Sequence, residues 1–336
     1  MLRSIAVRTS LPRRAALLGL VLASVLIASC GGSDDDDAPP PPTEAGLALS
    51  GGLDRPAGWT VEQLKSLPPT TQTVNFASGA GAQTHTYTGT SLWGLLDQAG
   101  IQVDAARKND VLNRIVVATG SDGYRSVFSL GEIKPDFGNR ASIVAYAETL
   151  NGSSVPLTAD GPFRVTAPGD VKGGRYVSNL VRLDVRASGS TVASMGGGVS
   201  TQFTVSGAVQ RPGTYDLAAL QALPTVTQAV GASVYGGVGL WTFLNTTVGL
   251  ATNPPVKNDG LGYYVVATGS DGYKAVVALG EIDPSFGNQP DLIAYQVDGA
   301  ALTSNGFARL VVPNDIKAGR FVSNLIGLEV FAAPAP

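Results

Sequence analysis

Apolar and polar residues alternate over short stretches of this chain, and glycine and proline separate the stretches. The alternation predicts strands at 47–53, 116–119 and 124–130, a hairpin at 71–87, and a last pair of strands at 163–167 and 180–185. Two short segments have helical spacing instead. Thr60 and Gln63 stand at capping-box distance, and 91–99 places Leu92, Leu95 and Leu96 on one face before a glycine. The pattern predicts an α+β fold that is mainly β.

The chain repeats itself once. VVATGSDGY at 116–124 recurs unchanged at 265–273, and LGEIKPDFGN at 130–139 returns as LGEIDPSFGN at 279–288. PGDVKGGRYVSNLVRLDV at 168–185 corresponds to PNDIKAGRFVSNLIGLEV at 313–330. Two copies with so long a period indicate tandem globular domains and not a solenoid. We expect copy 1 at 47–186, a Gly/Ser linker at 187–200 and copy 2 at 201–332.

The first 30 residues have the features of a lipoprotein signal. Four arginines precede an apolar run of about 15 residues, too short for a comfortable membrane span and typical of a signal peptide. The run ends LIASC, similar to a lipobox, so we expect a signal peptide at 1–29 and acylation of Cys30. The acidic and proline-rich segment 30–46 then forms a tether. These features predict an exported protein, anchored by lipid to the cell envelope at the outer membrane and facing the periplasm. Arg13 and Arg14 leave both the general secretory and the twin-arginine export routes open.

Composition excludes several classes of function. The full chain has 23 basic and 26 acidic residues, a net charge of −3, and loss of the four leader arginines lowers this to −7. Such a chain offers no basic surface to nucleic acid. Cys30 is the single cysteine and His85 the single histidine, which argues against a His/Cys metal site, a haem or a serine-histidine triad. We expect no metal ligands and no catalytic residues, and His85 is interpreted as a surface residue.

Two polar sets remain as candidate sites. Asp122 and Tyr124, repeated as Asp271 and Tyr273, could line a pocket at a strand end, but Asp-Gly-Tyr also fits a hairpin turn with tyrosine packed beside it.

The second set is a pair of arginines, Arg175 and Arg320. Each lies between a glycine and a strand, as in a fixed anion-binding loop, and an ion pair with Asp170 or Asp315 fits equally well. Glu132 and Glu281 are interpreted as capping short helices.

Each copy resembles the molybdopterin-binding domain of the sulfite oxidase family. The resemblance rests on the order of a helix ending Leu-Pro, a hairpin, a Leu-Trp helix, SDGY, an A-Y strand, G-x-x-R-[VL] and G-R-[YF]-V. It implies two sulfite-oxidase-like domains, with Arg175 and Arg320 near the cofactor phosphate. The resemblance also implies that Lys172 and Lys317 lie near these arginines. Family members with activity also carry a molybdenum-ligating cysteine in the hairpin, and neither 74–79 nor 226–231 contains one.

The missing thiolate determines the functional hypothesis, since a serine hydroxyl is a poor substitute. We expect a membrane-anchored binding or scaffold lipoprotein that is not an enzyme and holds no cofactor. Its partner would be the membrane, through Cys30, together with a small anion, a cofactor or a protein. The alternative is an oxidoreductase component that binds molybdopterin without a cysteine ligand.

Overall fold

The structure is a computed structural model that describes residues 46–334. These residues belong to one compact unit. The predicted signal peptide, the lipidation site Cys30 and the tether up to residue 45 lie outside the described residues. Within the described range, no helix is both long enough and apolar enough to cross a membrane.

Copy 1 consists of strands connected by short helices, as the alternating pattern predicts. Two single 3₁₀ turns, Asp110–Asn113 and Gly173–Arg175, interrupt it. Its strands are β1 Leu47–Gly51, β2 Ala57–Trp59, β3 Thr70–Ser78, β4 Gly81–Ser91, β5 Arg114–Gly120, β6 Arg125–Ser129, β7 Ile143–Leu150, β8 Ser153–Pro156, β9 Arg164–Val165 and β10 Leu180–Ala187. Its helices are α1 Val61–Lys65, α2 Leu92–Ala99 and α3 Leu130–Ile133.

The helix ends have the caps that the sequence predicts. Thr60 accepts a hydrogen bond from the backbone of Gln63, whose side chain accepts one in return, so the predicted capping box before α1 is confirmed. Ser91 caps α2 by accepting from the Gly94 N–H, and Gly100 ends that helix with a φ of 78°, a conformation that suits glycine.

Two sheets form copy 1. The first has the order β2-β1-β10-β5-β6, in which β1 and β10 run parallel and the other pairs antiparallel. The second has the order β3-β4-β7-β8, with β9 paired to β7. The sequence predicts the last two strands as a pair, but they lie in different sheets: β9 joins β7, and β10 lies between β1 and β5. Their register depends on distant strands, which local alternation does not encode.

Copy 2 repeats this architecture. Its sheets have the orders β12-β11-β20-β15-β16 and β13-β14-β17-β18, with β19 on β17. Its strands are β11 Gln202–Gly207, β12 Gly213–Asp216, β13 Val226–Val230, β14 Ser233–Gly239, β15 Tyr263–Gly269, β16 Lys274–Ala278, β17 Leu292–Val297, β18 Ala300–Ala301, β19 Arg309–Val311 and β20 Leu325–Ala332. Its helices are α4 Leu217–Gln221, α5 Leu240–Thr242 and α6 Leu279–Ile282, with a π-helical turn at Phe243–Val248 and 3₁₀ turns at Asp259–Gly262, Thr303–Asn305 and Ala318–Arg320.

Each copy has its own apolar core, and a third cluster joins the two copies. Ile115, Val117 and Val127 of β5 and β6 pack against Val266 and Val276 of β15 and β16. All five side chains are at most 3% exposed. The outer faces of β5–β6 and β15–β16 are therefore buried against each other, which explains why these strands are apolar on both faces.

The predicted linker 187–200 is held against copy 2. Tyr264 donates to the carbonyl of Ser188 at 2.9 Å, and the buried Lys274 ammonium donates to Ser190 Oγ at 2.6 Å and to the Val192 carbonyl at 2.7 Å. The Lys274 charge is thus surrounded by oxygen acceptors, and the segment has a fixed course along the domain.

Candidate functional site

Arg175 is buried in an ion-pair network inside copy 1. Its Nε and Nη2 donate to the two oxygens of Asp170 at 2.8 and 2.6 Å, and its Nη1 donates to Glu132 Oε1 at 2.5 Å. Burial by itself would lower the Arg175 pKa, but the two carboxylates outweigh it and raise the pKa. With 2% of the residue exposed, the guanidinium is fully engaged by carboxylates. Of the two interpretations that the sequence leaves open, the geometry is that of the ion pair.

Copy 2 repeats the network around Arg320. Its Nε and Nη2 donate to Asp315 at 2.8 and 2.5 Å, and its Nη1 donates to Glu281 at 2.6 Å. Glu132 and Glu281, interpreted from the sequence as helix caps, therefore direct their carboxylates at the arginines. The capping group of α3 is Ser129, which accepts from the Glu132 N–H at 3.0 Å.

The two arginine networks meet where the copies touch. A Cβ added to Gly280 of copy 2 would lie 2.6 Å from Cδ of Arg175, and one added to Gly131 would lie 2.5 Å from Cδ of Arg320. Ser129 of copy 1 also hydrogen-bonds Glu281 Oε2 at 3.3 Å. The loops that the sequence suggests for anion binding thus form part of the contact between copies.

Carboxylates outnumber guanidinium groups in this buried region. Burial raises the Glu132 pKa to about 7 despite Arg175, and Glu132 Oε2 has no hydrogen-bond partner among the described residues. Asp291 is 3% exposed and neither of its oxygens has a partner there. Burial first, and then Glu281, raise the Asp291 pKa well above its usual value, while Arg320 opposes them.

Asp122 and Tyr124 form a turn and a contact between the copies. Asp122 Oδ1 accepts from the backbone of Tyr124 at 2.9 Å, an arrangement typical of tight turns. The Tyr124 hydroxyl donates to the carbonyl of Gly174 at 2.7 Å and accepts from Asn258 of copy 2 at 2.9 Å. The phenol thereby ties the loop before β10 to copy 2.

The equivalent residues of copy 2 repeat the arrangement. Asp271 Oδ1 accepts from the backbone of Tyr273 at 2.9 Å, and the Tyr273 hydroxyl donates to the carbonyl of Gly319 at 2.5 Å. Asn109 of copy 1 donates to the same hydroxyl at 3.1 Å. These two tyrosines therefore hold the copies together reciprocally.

Lys172 and Lys317 each contact the other copy, separately from the networks of the arginines that follow them. Lys172 donates to Ser285 Oγ of copy 2 at 3.3 Å, and Lys317 donates to Asp136 of copy 1 at 2.6 Å. Each ammonium lies at the edge of a surface cleft that Arg175 or Arg320 does not line. The structure therefore does not bring the lysine and the arginine of a copy to one ligand.

The larger of these openings, the copy 1 cleft, has a volume of about 790 Å³. Its walls are the β3–β4 hairpin end at 76–79, the loop 172–179 and the copy 2 segments 257–261 and 283–286. Asp122 and Tyr124 also line it, in addition to their roles in the turn. The charged side chains around it are Arg164, Lys172, Lys257, Asp122 and Asp283. The cleft is therefore slightly cationic, in a protein that is acidic as a whole.

One wall of the copy 1 cleft contains polar atoms that lack partners. Arg164 is 7% exposed; it pairs with Asp160, but its Nε has no hydrogen-bond acceptor among the described residues. Tyr176, 4% exposed, leaves its hydroxyl without a partner in the same part of the chain, and burial raises its pKa. Buried polar atoms are normally hydrogen-bonded, so these two atoms mark a part of the cleft wall where hydrogen-bond acceptors are lacking.

Aromatic rings pack around the Arg164 guanidinium. The Arg164 guanidinium lies over Phe76, Tyr87 and Tyr176, with distances of 5.5 to 6.0 Å to the ring centroids. His85, predicted at the surface, is half-buried between the rings of Phe76 and Tyr87, and its Nδ1 lies 2.5 Å from Glu148.

Arg164 and Tyr176 are not among the site residues that the sequence suggests. The signal that could have identified Arg164 is the arginine at the same place in both copies, next to buried apolar residues, as Arg164 and Arg309. A charged residue in such a setting needs partners.

The residues around the hairpin do not fit a molybdenum centre. The stretch 74–79 offers no thiolate; Ser78 Oγ instead accepts from the Ala80 N–H at 3.1 Å and lies within the hairpin turn. The backbone of Ala77 donates to the Val171 carbonyl at 2.8 Å. No group of three or more His, Cys, Asp or Glu side chains within residues 46–334 is arranged to hold a metal ion. These groups provide hydrogen bonding but no soft metal ligand.

Comparisons with known proteins give a distant likeness in structure. No family profile matches the chain, and no curated protein matches it. Among solved structures, the chain is similar to the sulfane dehydrogenase SoxCD from Paracoccus pantotrophus, with 13% sequence identity and a TM-score of 0.35. The match covers 87% of this chain and 78% of that chain. At this identity the likeness concerns the fold alone.

Proposed function

We propose that this protein is a membrane-anchored periplasmic lipoprotein whose two sulfite-oxidase-like domains form a non-catalytic module that binds an anion in the copy 1 cleft. The observation that carries the proposal is the wall of the cleft, where Arg164 Nε and the Tyr176 hydroxyl are buried without partners among the described residues. A carboxylate or phosphate in the cleft would bring oxygen acceptors to the wall that holds these donors.

The charges of the cleft support an anionic ligand over a neutral one. Lys172 of copy 1 and Lys257 of copy 2 both line it, together with Arg164. Asp122 and Asp283 also line it, but each accepts a hydrogen bond from a nearby backbone N–H, at 2.9 and 2.7 Å. The donors that remain for a ligand are therefore mainly cationic.

The absence of a suitable nucleophile or metal ligand among the described residues around the cleft supports binding without chemistry. Ser78 belongs to the hairpin turn, and the tyrosine hydroxyls are far from ionisation at neutral pH, since burial raises the pKa values of both Tyr124 and Tyr176. A site with donors and no activated group orients a ligand and leaves it unchanged.

Metal and pterin content distinguishes this proposal from a molybdopterin-binding oxidoreductase component. The protein should be purified after export from cells that make the cofactor, and assayed for molybdenum by elemental analysis and for pterin by fluorescence after oxidation. We expect far less than one equivalent of either. Near-stoichiometric molybdenum together with pterin would overturn the non-catalytic assignment.

Anion binding is tested with inorganic phosphate as the probe, at constant ionic strength. Phosphate should raise the midpoint of thermal unfolding of the unsubstituted protein, and Arg164→Gln should abolish this shift. The matched control is Arg211→Gln, because Arg211 is an exposed arginine that bonds only backbone carbonyls in the described chain. An equal response of both variants would refute a site at Arg164.

The lipid anchor is a separate part of the proposal. Replacing Cys30 by serine should move the protein from the membrane fraction to the soluble periplasmic fraction, because a single N-terminal cysteine provides the acylation site. Retention of the C30S variant in washed membranes would contradict lipid anchoring at this residue.

A further inference from the structure

A second cleft at the contact between copies is lined by three lysines. Its volume is about 390 Å³, and its charged side chains are Lys108, Lys134 and Asp136 of copy 1 and Lys317 of copy 2. We refer to it as the lysine cleft. It shares no lining residue with the copy 1 cleft, so a ligand held there would be additional to the anion of the proposed function.

Two of the three lysines have defined contacts. The Lys134 ammonium lies 4.6 Å from the ring centroid of Trp93 and 3.0 Å from Asp136 Oδ2, and only 23% of its side chain is exposed. Lys317 reaches the same carboxylate from copy 2, at 2.6 Å from Oδ1. The carboxylate therefore links one ammonium from each copy within the cleft.

The positive charge of the lysine cleft is only partly neutralised. Lys317 first, and then Lys134, lower the Asp136 pKa to about 2, so Asp136 carries one full negative charge at neutral pH. Three lysine ammonium groups also line the cleft, so its net charge is about +2. The three cations border a space that holds several non-hydrogen atoms.

The equivalent place in the other half of the chain differs in charge. The residues equivalent to Lys134 and Asp136 are Asp283 and Ser285, and Lys172 there donates to the serine. The matching position lies in the copy 1 cleft, where Lys172 and Lys257 stand beside Asp283, so it has one positive charge fewer than the lysine cleft. The charge of about +2 in the lysine cleft is therefore not a requirement of the fold.

We infer that the lysine cleft binds a multivalent oxyanion of the phosphate type, with Lys108, Lys134 and Lys317 as its ligands. Ammonium groups bind such anions as point charges, and several around one opening favour a multiply charged ion over chloride. A soluble polyphosphate and the phosphomonoester headgroup of a lipid present the same chemistry.

The test is isothermal titration of the full mature chain in non-ionic detergent, with inorganic pyrophosphate as the probe and sodium chloride holding ionic strength constant. Lys108→Ala, Lys134→Ala and Lys317→Ala should each weaken binding roughly tenfold, as expected for loss of one hydrogen bond to a charged group. The control is Arg107→Ala, since Arg107 is a cation next to Lys108 that does not line the cleft. It should leave the affinity within about twofold.

Asp136→Asn changes the affinity in the opposite direction. It removes the one negative charge of the lysine cleft and frees two ammonium groups, so pyrophosphate should bind several-fold more tightly. A residue with only a structural role would not produce a gain.

Two further results complete the test. A parallel titration with short-chain phosphatidic acid identifies the source of the anion: tighter binding of the lipid, lost in the lysine variants, assigns the site to a headgroup, and tighter binding of pyrophosphate assigns it to a soluble ion. No binding of either probe by the unsubstituted chain, or equal losses in R107A and K317A, would overturn the inference.

Discussion

Replacing Asp291 by serine should stabilise the protein at neutral pH. Asp291 follows the loop after α6, and its carbonyl accepts from the Leu240 N–H at 2.8 Å, as the carbonyl of Ser142 accepts from Leu92 at 2.9 Å in copy 1. The backbone therefore accepts serine at this position. Both residues are 3% exposed, but Asp291 places a carboxyl group where copy 1 has a hydroxyl.

The size of the expected stabilisation follows from the hydrogen-bond partners that the Asp291 carboxyl lacks. Leaving a buried polar group unpaired costs about 1–3 kcal/mol, and more when the group is charged. Neither Asp291 oxygen has a partner among residues 46–334, and its surroundings include Glu281 and Asp315 as well as Arg320. We expect Asp291→Ser to raise the free energy of unfolding by about 2 kcal/mol at pH 7.

The contribution of Asp291 to stability also depends on pH. The Asp291 pKa in the folded protein lies well above the unfolded value of 3.8, so the folded state holds the proton after the unfolded state has lost it. The contribution of this group to stability is therefore greatest below pH 4 and falls as pH rises towards the folded pKa, by up to about 1.4 kcal/mol per pH unit. The advantage of the serine variant should increase over that window.

Urea denaturation at pH 5, 6, 7 and 8 measures this difference. Asp291→Asn is the matched control, because it removes the titration and keeps an unpaired polar group; it should show the same pH dependence as the serine variant with a smaller gain. If the aspartate protein is the more stable at pH 8, or if its difference from the serine variant is constant across the series, Asp291 is not the buried acid described above.

Two further substitutions test the contact between copies. Tyr124→Phe removes the hydroxyl that joins a carbonyl of the loop before β10 to Asn258, so it should lower the free energy of unfolding by about 1–2 kcal/mol in the same urea assay; no change would mean that solvent replaces the bridge. Gly131→Ala places a methyl group 2.5 Å from Cδ of Arg320 and should destabilise by about 1–3 kcal/mol. Gly58→Ala, with nothing within 4 Å of the added carbon, is its control and should be near neutral.

Local sequence signals predicted most of the secondary structure. The capping box at Thr60, the end of α2 at Gly100 and the Asp122 turn all depend on residues a few positions apart, and the structure has them. The repeated motifs likewise predicted two matching sets of sheets.

The contact between the copies was not predictable in the same way. Ser129 and Glu281 are 152 residues apart, and neither pattern nor propensity relates them. One sequence feature does point there: the glycine of LGEI is kept in both copies, and Gly131 and Gly280 are where the arginine of the other copy approaches closely. The candidate loops at Arg175 and Arg320 had local features of both an anion site and an ion pair. The aspartates five residues earlier pair with the arginines, and sequence-distant glutamates add a second carboxylate to each.

The shared cluster between the sheets has a consequence for the order in which the molecule is made. Copy 1 is synthesised first, and its apolar residues Ile115, Val117 and Val127 are covered by Val266 and Val276, which come roughly 150 residues later in the chain. Until copy 2 has been synthesised, these residues form an exposed apolar surface on copy 1. A chain that stops in the linker would keep that surface exposed and would be a substrate for chaperones and proteases.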